Sequence, residues 1–315
     1  MNKLGNVLVT GGAGFLGSQL VLKFLELSDH IWVLDDLSTG KKSSVPSSSK
    51  VTFIEGSILD ESLLKPILPK VNYIFHFACA NLVNSVTDIN RDFSTNLLGS
   101  FKMLQYAKEH CTSLKRFIYA STASVYSQAE RVPTKENYHN IKLPYPASKF
   151  SAEHYMQVFY HLYQLPVTTL RFSNVYGPGQ LSSNPYCGVV AKFFEAVLAN
   201  EPLVIYGDGS QTRDFTFVAD AMEAVLAATV NPKALGSVYN VGTGMETSVN
   251  ELAEKVVEIT NFKGKTVYSS KRTVDIVNRR CVSINLIKKD LGWVPETSLT
   301  QGLLDTYYWL TGGGG

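Results

Sequence analysis

The sequence has no apolar run approaching the roughly 20 residues needed to span a bilayer. It also lacks an excess of either charge. Lys and Arg number 29 against 27 Asp and Glu, a formal charge of +2. That balance gives no reason to expect nucleic acid or an anionic membrane as partner, and no aromatic–basic stripe argues otherwise. Cysteine is sparse: Cys79, Cys111, Cys187 and Cys281 form no C-x-x-C pair. They read as reduced, mostly buried thiols of a cytoplasmic protein, which excludes a disulfide frame and a cysteine zinc site. The six histidines show no H-E-x-x-H spacing, so no metal is expected. The opening "MNKLGNVLVTGG" enters a strand pattern directly, without the apolar core and cleavage site of a signal peptide. No internal repeat is evident.

What remains is an ordinary globular composition, 45% hydrophobic and 18% charged over 315 residues. A chain of that length buries a large core in one unit or two intimate lobes. "NVLVTG", "HIWVLD", "KVTFIEG", "YIFHFA", "RFIYAST" and "VTTLRFS" read as strands. Helical patterns such as "FLGSQLVLKFLELS" and "NLLGSFKMLQYAKEH" lie between them. The alternation predicts an α/β fold with a Rossmann-type doubly wound parallel sheet. Residues 38–50, rich in serine and lysine, are expected as an exposed loop. Beyond Arg171 the alternation loosens into a smaller C-terminal α/β lobe. The expected division is 1–172 for the sheet, with segments around 215–243 returning to it, and 173–214 with 244–311 for the lobe.

"VLVTGGAGFLGS" joins the first strand to the first helix. Gly12, Gly14 and Gly17 fit G-x-G-x-x-G, and Gly11, Gly14 and Gly17 fit the related G-x-x-G-x-x-G. Glycine there permits a tight turn, close approach of backbone to a pyrophosphate, and close helix–strand packing. The free N–H groups of the helix start then face the phosphates. Asp35 answers this turn at the end of "WVLDD". A carboxylate there accepts from both adenosine ribose hydroxyls and repels a 2′-phosphate, which favours NAD over NADP. Loop solvation explains Lys41 and Lys42.

"PYPASKF" sets Tyr145 and Lys149 one turn apart at the start of a helix, with Pro146 at a position that tolerates its missing N–H. A phenol with a pKa of about 10 is a poor base at neutral pH. A neighbouring ammonium stabilises its phenolate and makes it a usable one. "YASTASVYS" offers the hydroxyls of Ser121, Thr122 and Ser124 at the end of a predicted strand, the edge where open parallel sheets bind ligands.

Taken together, "TGGAGFLG", Asp35, "FHFACA", "NLLGS", "STASVY", "YPASK", "RFSNVYGPGQ" and "IYGDGSQTRDFTFV" resemble the extended short-chain dehydrogenase/reductases, in the branch of NAD-dependent nucleotide-sugar epimerases and dehydratases. The likeness covers essentially the whole chain. It implies NAD contacts at Gly11, Gly14, Phe15, Leu16, Gly17, Asp35, Asp36, Ser57, Ile58, Phe77, Ala78, Asn96, Tyr145 and Lys149. By the same likeness Tyr145 is the catalytic base, Lys149 its partner, and Thr122 the hydroxyl that meets the sugar's 4-oxygen. Asn174 and Arg213 would grip the nucleotide diphosphate, and Arg272 and Asp275 would contact phosphate and the nucleoside ribose. Two departures stand out. Thr273 and Val274 replace the Pro-Gly of the family's R-P-G-D, and Ser57 stands where an aspartate commonly contacts adenine.

Relatives that eliminate or decarboxylate usually carry carboxylates just after the threonine. Here Ala123 and Ser124 follow Thr122, and neither does carboxylate acid/base work. The resemblance therefore implies 4-epimerisation of a UDP-hexose, UDP-N-acetylhexosamine or UDP-hexuronate, with a dehydratase or decarboxylase as the alternative. An arginine facing the sugar, Arg279 or Arg280 in "NRRC", would suit a uronate carboxylate. Some relatives have lost the tyrosine and act as redox sensors, and the joint presence of Thr122, Tyr145 and Lys149 argues for an enzyme. A homodimer through the helices at "NLLGSFKMLQYAKEH" and "ASKFSAEHYMQVFYHLY" is expected.

Overall fold

The computed structural model describes residues 3–180, 188–272 and 275–312. Cys187, Thr273 and Val274 lie outside the described residues. Two compact units are interleaved along the chain. The first comprises Met1–Val125, Ile141–Arg171 and Val225–Tyr239, and the second Tyr126–Asn140, Phe172–Ala224 and Asn240–Gly315. The piece that returns to the first unit is thus shorter than the 215–243 expected from the sequence. Tyr126–Asn140, expected with the sheet, belongs to the second unit.

The first unit begins with β1 (Gly5–Thr10), α1 (Phe15–Phe24), β2 (Ser28–Asp35) and β3 (Val51–Glu55). The short helix α2 (Glu61–Leu64), β4 (Tyr73–His76), α3 (Leu82–Thr87) and α4 (Ile89–Asp92) come next. A π-helical stretch, Phe93–Gly99, then runs straight into α5 (Ser100–His110). β5 (Arg116–Thr122), α6 (Pro144–Tyr163) and β6 (Val167–Phe172) complete the alternation. All six strands read from the sequence are present.

The second unit holds β7 (Asn174–Tyr176), α7 (Val189–Leu198), β8 (Leu203–Tyr206), β9 (Thr212–Arg213) and β10 (Phe215–Phe217). α8 (Val218–Val230) carries the chain back into the first unit, and β11 (Val238–Val241) adds a seventh strand to the main sheet. β12 (Thr247–Ser248), α9 (Val249–Thr260), β13 (Thr266–Ser269), α10 (Asn285–Leu291) and α11 (Leu299–Leu310) follow.

The main sheet has the order β11-β6-β5-β4-β1-β2-β3. β3–β2, β2–β1, β1–β4 and β4–β5 all pair in parallel. Successive strands run outward in one direction from β1 and in the other from β4. The order therefore reverses between these two, and ligands bind at such a reversal in open α/β sheets. One face packs Phe117 and Tyr119 of β5 against Ala152, Met156 and Phe159 of α6 and Met103 and Leu104 of α5. On α1, Leu20, Val21 and Phe24 are fully buried, with the Phe24 ring edge-on to Phe75 of β4 at 4.9 Å. The second unit has its own core, around Tyr176, Phe193, Phe194, Phe215, Leu252 and Leu303. Its strands pair as β7–β10, β8–β13 and β9–β12.

Residues 38–50 are exposed or half-buried, with one tight turn at Lys42–Ser44. The thiols differ from expectation: of the three described, only Cys281 is buried, Cys111 is partly covered and Cys79 is exposed. Cys79 sits three residues past the end of β4, between half-buried Ala78 and buried Ala80, and near enough to Lys149 to act on its charge. No helix among the described residues is long and apolar enough to cross a membrane.

Candidate active site

The turn after β1 is built by close backbone approach. Gly11 has φ of +71°, and a Cβ placed there would lie 2.5 Å from the Ala78 amide nitrogen beyond β4. A Cβ on Gly17 would lie 2.1 Å from the Gly11 carbonyl oxygen, so α1 starts against the turn itself. Gly14 is different: a Cβ there meets only that same oxygen, at 3.2 Å, so this residue opens onto free space. Gly14 is also the N-cap of α1 and supplies no side-chain cap, while Phe15 and Leu16 form the first turn, half-buried. First-turn amides without a side-chain acceptor are an anion site by construction.

Asp35 ends β2 with its carboxylate 8% exposed. One oxygen accepts from the Ala13 amide at 2.9 Å and the other from the Leu37 amide at 2.9 Å. Burial raises its pKa, and these amide bonds oppose the shift. Each oxygen keeps a further acceptor position. A glycine cradle, uncapped helix amides and a doubly accepting carboxylate fit an adenine dinucleotide. Asp36 is exposed and accepts from the Ser38 amide at 3.0 Å. Ser57 is exposed, its hydroxyl accepting from the Leu59 amide at 3.1 Å, while Ile58 beside it is buried. Phe77 is buried and Ala78 half-buried in the loop after β4.

Asn96 lies in the π-helical stretch, fully buried. Its amide oxygen accepts from Ala80 N at 2.8 Å, and its nitrogen donates to Ala80 O at 2.9 Å and to Asp92 at 2.7 Å. The side chain thus fastens the loop after β4. Asp92, 2% exposed, lies beside Ser148 of α6, whose hydroxyl donates to Tyr145 O at 3.0 Å and opposes the burial that raises the Asp92 pKa.

Tyr145 and Lys149 stand on the first turns of α6, as the sequence predicts. Tyr145 is half-buried; Lys149 is 1% exposed, its Nζ 4.2 Å from the centre of the Tyr119 ring. Burial lowers the Lys149 pKa, opposed by the nearby Cys79, Glu153 and Asp92. Beneath them His76 is wholly buried. Its Nδ1 lies 2.7 Å from the Thr10 hydroxyl and its Nε2 3.0 Å from the Ser100 hydroxyl. Ser100 donates to the Asn96 carbonyl at 2.7 Å, so Nε2 carries the proton and Nδ1 accepts from Thr10. Thr122, 9% exposed at the end of β5, accepts from the Ser124 amide at 3.1 Å. Ser121 instead donates to Glu153 on α6.

The remaining predicted residues lie in the second unit. Asn174 starts β7, its amide donating to Asp214 O at 3.0 Å. Arg213 lies on β9 and donates to Thr212 O at 2.7 Å. Burial lowers its pKa while Asp275 raises it. Arg272 makes two bonds to Asp275, at 2.7 and 2.8 Å, and lies 4.9 Å over the Tyr206 ring. Arg213, Arg272, Asp275 and Tyr206 thus form one basic, aromatic-backed cluster. Arg279 points elsewhere: it is exposed and paired with Glu246, Nε to oxygen at 3.0 Å. Arg280 is the less exposed of the two, its amide 3.3 Å from Thr212 O.

Sequence reading missed Asp92, Ser148, His76, Glu153 and Tyr206. The buried "FHF" histidine carried a signal, as a polar residue within an apolar strand, and Tyr206 fell within the quoted "IYGDGSQ".

The chain matches the NAD dependent epimerase/dehydratase family over residues 7–242. It is 34% identical over 308 residues to a UDP-glucose 4-epimerase of Mycolicibacterium smegmatis, covering 95% of this chain and 96% of that protein. The crystal structure of a UDP-glucose 4-epimerase from Thermotoga maritima with UDP-glucose superposes with a TM-score of 0.91 at 36% identity, covering 98% of this chain and 99% of the other. A UDP-N-acetyl-alpha-D-glucosaminuronate decarboxylase of Bacillus cytotoxicus is 31% identical over 316 residues, 96% of each chain.

Proposed function

Because the chain belongs to the NAD dependent epimerase/dehydratase family, we propose that it inverts C4 of a nucleotide sugar: a UDP-hexose, a UDP-N-acetylhexosamine or a UDP-hexuronate. The observation that carries this reading is the pair that follows Thr122. Ala123 and Ser124 are both buried and neither bears a carboxylate. A 4-keto sugar formed beside them meets no acid or base there to drive elimination or loss of CO2.

NAD, when bound, supplies the hydride acceptor and donor. The turn at Gly11–Gly17 and the first amides of α1 hold its pyrophosphate, and Asp35 holds its adenosine ribose. Tyr145 takes the proton from the 4-hydroxyl and later returns it. Lys149 beside it stabilises the phenolate, and Thr122 orients the 4-oxygen. In the second unit Arg213 and Arg272 grip the diphosphate, with Tyr206 and Asp275 holding Arg272 in place. The first unit is thus the NAD-binding domain and the second the nucleotide-sugar lobe. Exposed Tyr155, Val158, Leu162 and Tyr163 on α6 support a homodimer through that helix, which light scattering tests.

The test is proton NMR of the protein incubated in turn with UDP-glucose, UDP-N-acetylglucosamine and UDP-glucuronate, without reductant. New anomeric signals with the C4-inverted coupling pattern, settling to a constant ratio, are expected. Tyr145→Phe should lower the rate about 100-fold or more while leaving NAD binding intact. A deoxy methyl, alkene or pentose signal would instead establish a dehydratase or decarboxylase.

A further inference from the structure

Glu153 continues the stripe that Tyr145 and Lys149 begin, the three standing four residues apart along α6. Its side chain is 4% exposed and that of Arg171, on β6, 5%. Arg171 Nε reaches both carboxylate oxygens, at 3.0 and 3.1 Å, and a terminal nitrogen reaches one at 2.6 Å. The same carboxylate accepts the hydroxyl of Ser121. Ser121 immediately precedes Thr122 at the end of β5, and β5 neighbours β6 in the sheet.

Stability is a weak reason for such a pair. Removing two charges from water costs about as much as their attraction returns, and a well-packed apolar pair is often as stable. What the arrangement supplies is geometry, because one carboxylate fastens a helix to two strand ends. We infer that Glu153 is a positioning residue: through Ser121 it fixes Thr122, and through α6 it fixes Tyr145 and Lys149. The phenol and the hydroxyl that must meet one substrate oxygen thereby keep a constant separation. The inference rests on the reaction proposed above for its consequence, and on the bonds of Glu153 for its geometry.

Charge follows the same line. The groups around Lys149 are Tyr119 from β5, His76 from β4, Cys79 from the loop after β4, Asp92 from α4, Tyr145 and Glu153 one turn either side on its own helix, and Arg171 of β6 held against Glu153. His76 is neutral, so the carboxylates of Asp92 and Glu153 oppose the burial that lowers the Lys149 pKa. Loss of Glu153 lets Lys149 deprotonate at lower pH.

Two variants test this: Glu153→Gln, which keeps the shape and removes the charge, and the double variant Glu153→Met with Arg171→Met, which replaces the pair by apolar side chains. The double variant should fold with a melting temperature near that of the wild type. In both, kcat should fall about 10- to 100-fold with KM within about twofold, the cost of small misplacement at a reacting centre. In Glu153→Gln, which removes the carboxylate and leaves the Arg171 cation, the alkaline limb of the kcat profile should move to lower pH, whereas the double variant, which removes both charges, should shift it less. Amide exchange in peptides covering Ser121–Val125 should accelerate relative to the rest of β5. A stable double variant with wild-type kcat would overturn the inference, and so would a kcat loss tracked throughout by an equal rise in KM. Should Glu153→Gln not fold, the double variant decides alone. Should the wild type turn over no nucleotide sugar, the reaction reading falls separately. Exchange then decides, and unchanged protection at Ser121–Val125 would end the positioning claim.

Discussion

The carbonyl oxygen of Gly11 occupies the space that a side chain on Gly17 would need, 2.1 Å from the ideal Cβ position. Gly17→Ala must therefore push α1 away from the turn or twist the turn itself. Overpacking of this kind costs about 1–3 kcal/mol. Thermal unfolding should show that loss, and calorimetric titration should show NAD binding weakened more than about tenfold. An alanine variant that binds NAD as tightly as the wild type would contradict the turn's role.

Asp35 braces the same turn through the Ala13 amide, and in the proposed reading it presents its charge to NAD. Asp35→Asn keeps one amide acceptor and loses the charge that repels a 2′-phosphate. Hydrogen bonds to charged groups are worth about 1.5–3 kcal/mol, so NAD affinity should fall roughly 10- to 100-fold. NADP affinity should fall less or rise, narrowing the ratio. Titrating both cofactors into wild type and variant gives the comparison.

His76 makes stability depend on pH. Its pKa falls from the ordinary 6.5 to about 3, chiefly by burial and further by the charge of Lys149. Above the unfolded value neither state holds the proton, and the full contribution is present. As pH falls from 6.5 toward 3, the unfolded chain takes up a proton that the folded chain refuses. Each unit then removes up to about 1.4 kcal/mol. His76→Gln, which keeps a donor and an acceptor, should flatten the slope of unfolding free energy across that window by nearly one proton. An unchanged slope would assign the acid sensitivity to other groups.

Arg272 and Arg279 should behave as opposites. Arg272→Ala removes a guanidinium held by Asp275 and Tyr206, and KM for the nucleotide sugar should rise about tenfold with kcat nearly constant. Arg279→Ser breaks an exposed pair with Glu246, and turnover of neutral sugars and uronates should stay within about twofold of wild type. A selective loss on uronates alone would place Arg279 at the sugar after all.

The six strands and the long helices were legible because each writes its own periodicity, and the glycine turn because its close backbone approaches admit no side chain at Gly11 or Gly17. The supports of the site were not legible, since each joins residues far apart in sequence. Glu153 meets Arg171 and Ser121 only after β5, α6 and β6 have packed. Asp92 meets Ser148 across 56 positions. The π-helical stretch at Phe93–Gly99 has no distinct pattern, because one widened turn leaves the apolar spacing almost unchanged. Tyr206 was visible only as part of a turn motif, its role as backing for Arg272 being a matter of the lobe's folding.

The interleaving of the two units bears on how the chain is made. The main sheet receives its last strand only when Val241 has been synthesised, after most of β7–β10 and α7 has already left the ribosome. Six strands must wait with an open edge at β6 while an unrelated core begins to form downstream. Such a protein has no early N-terminal fragment that is finished by itself, and the unpaired edge of β6 is the kind of surface on which incomplete chains associate.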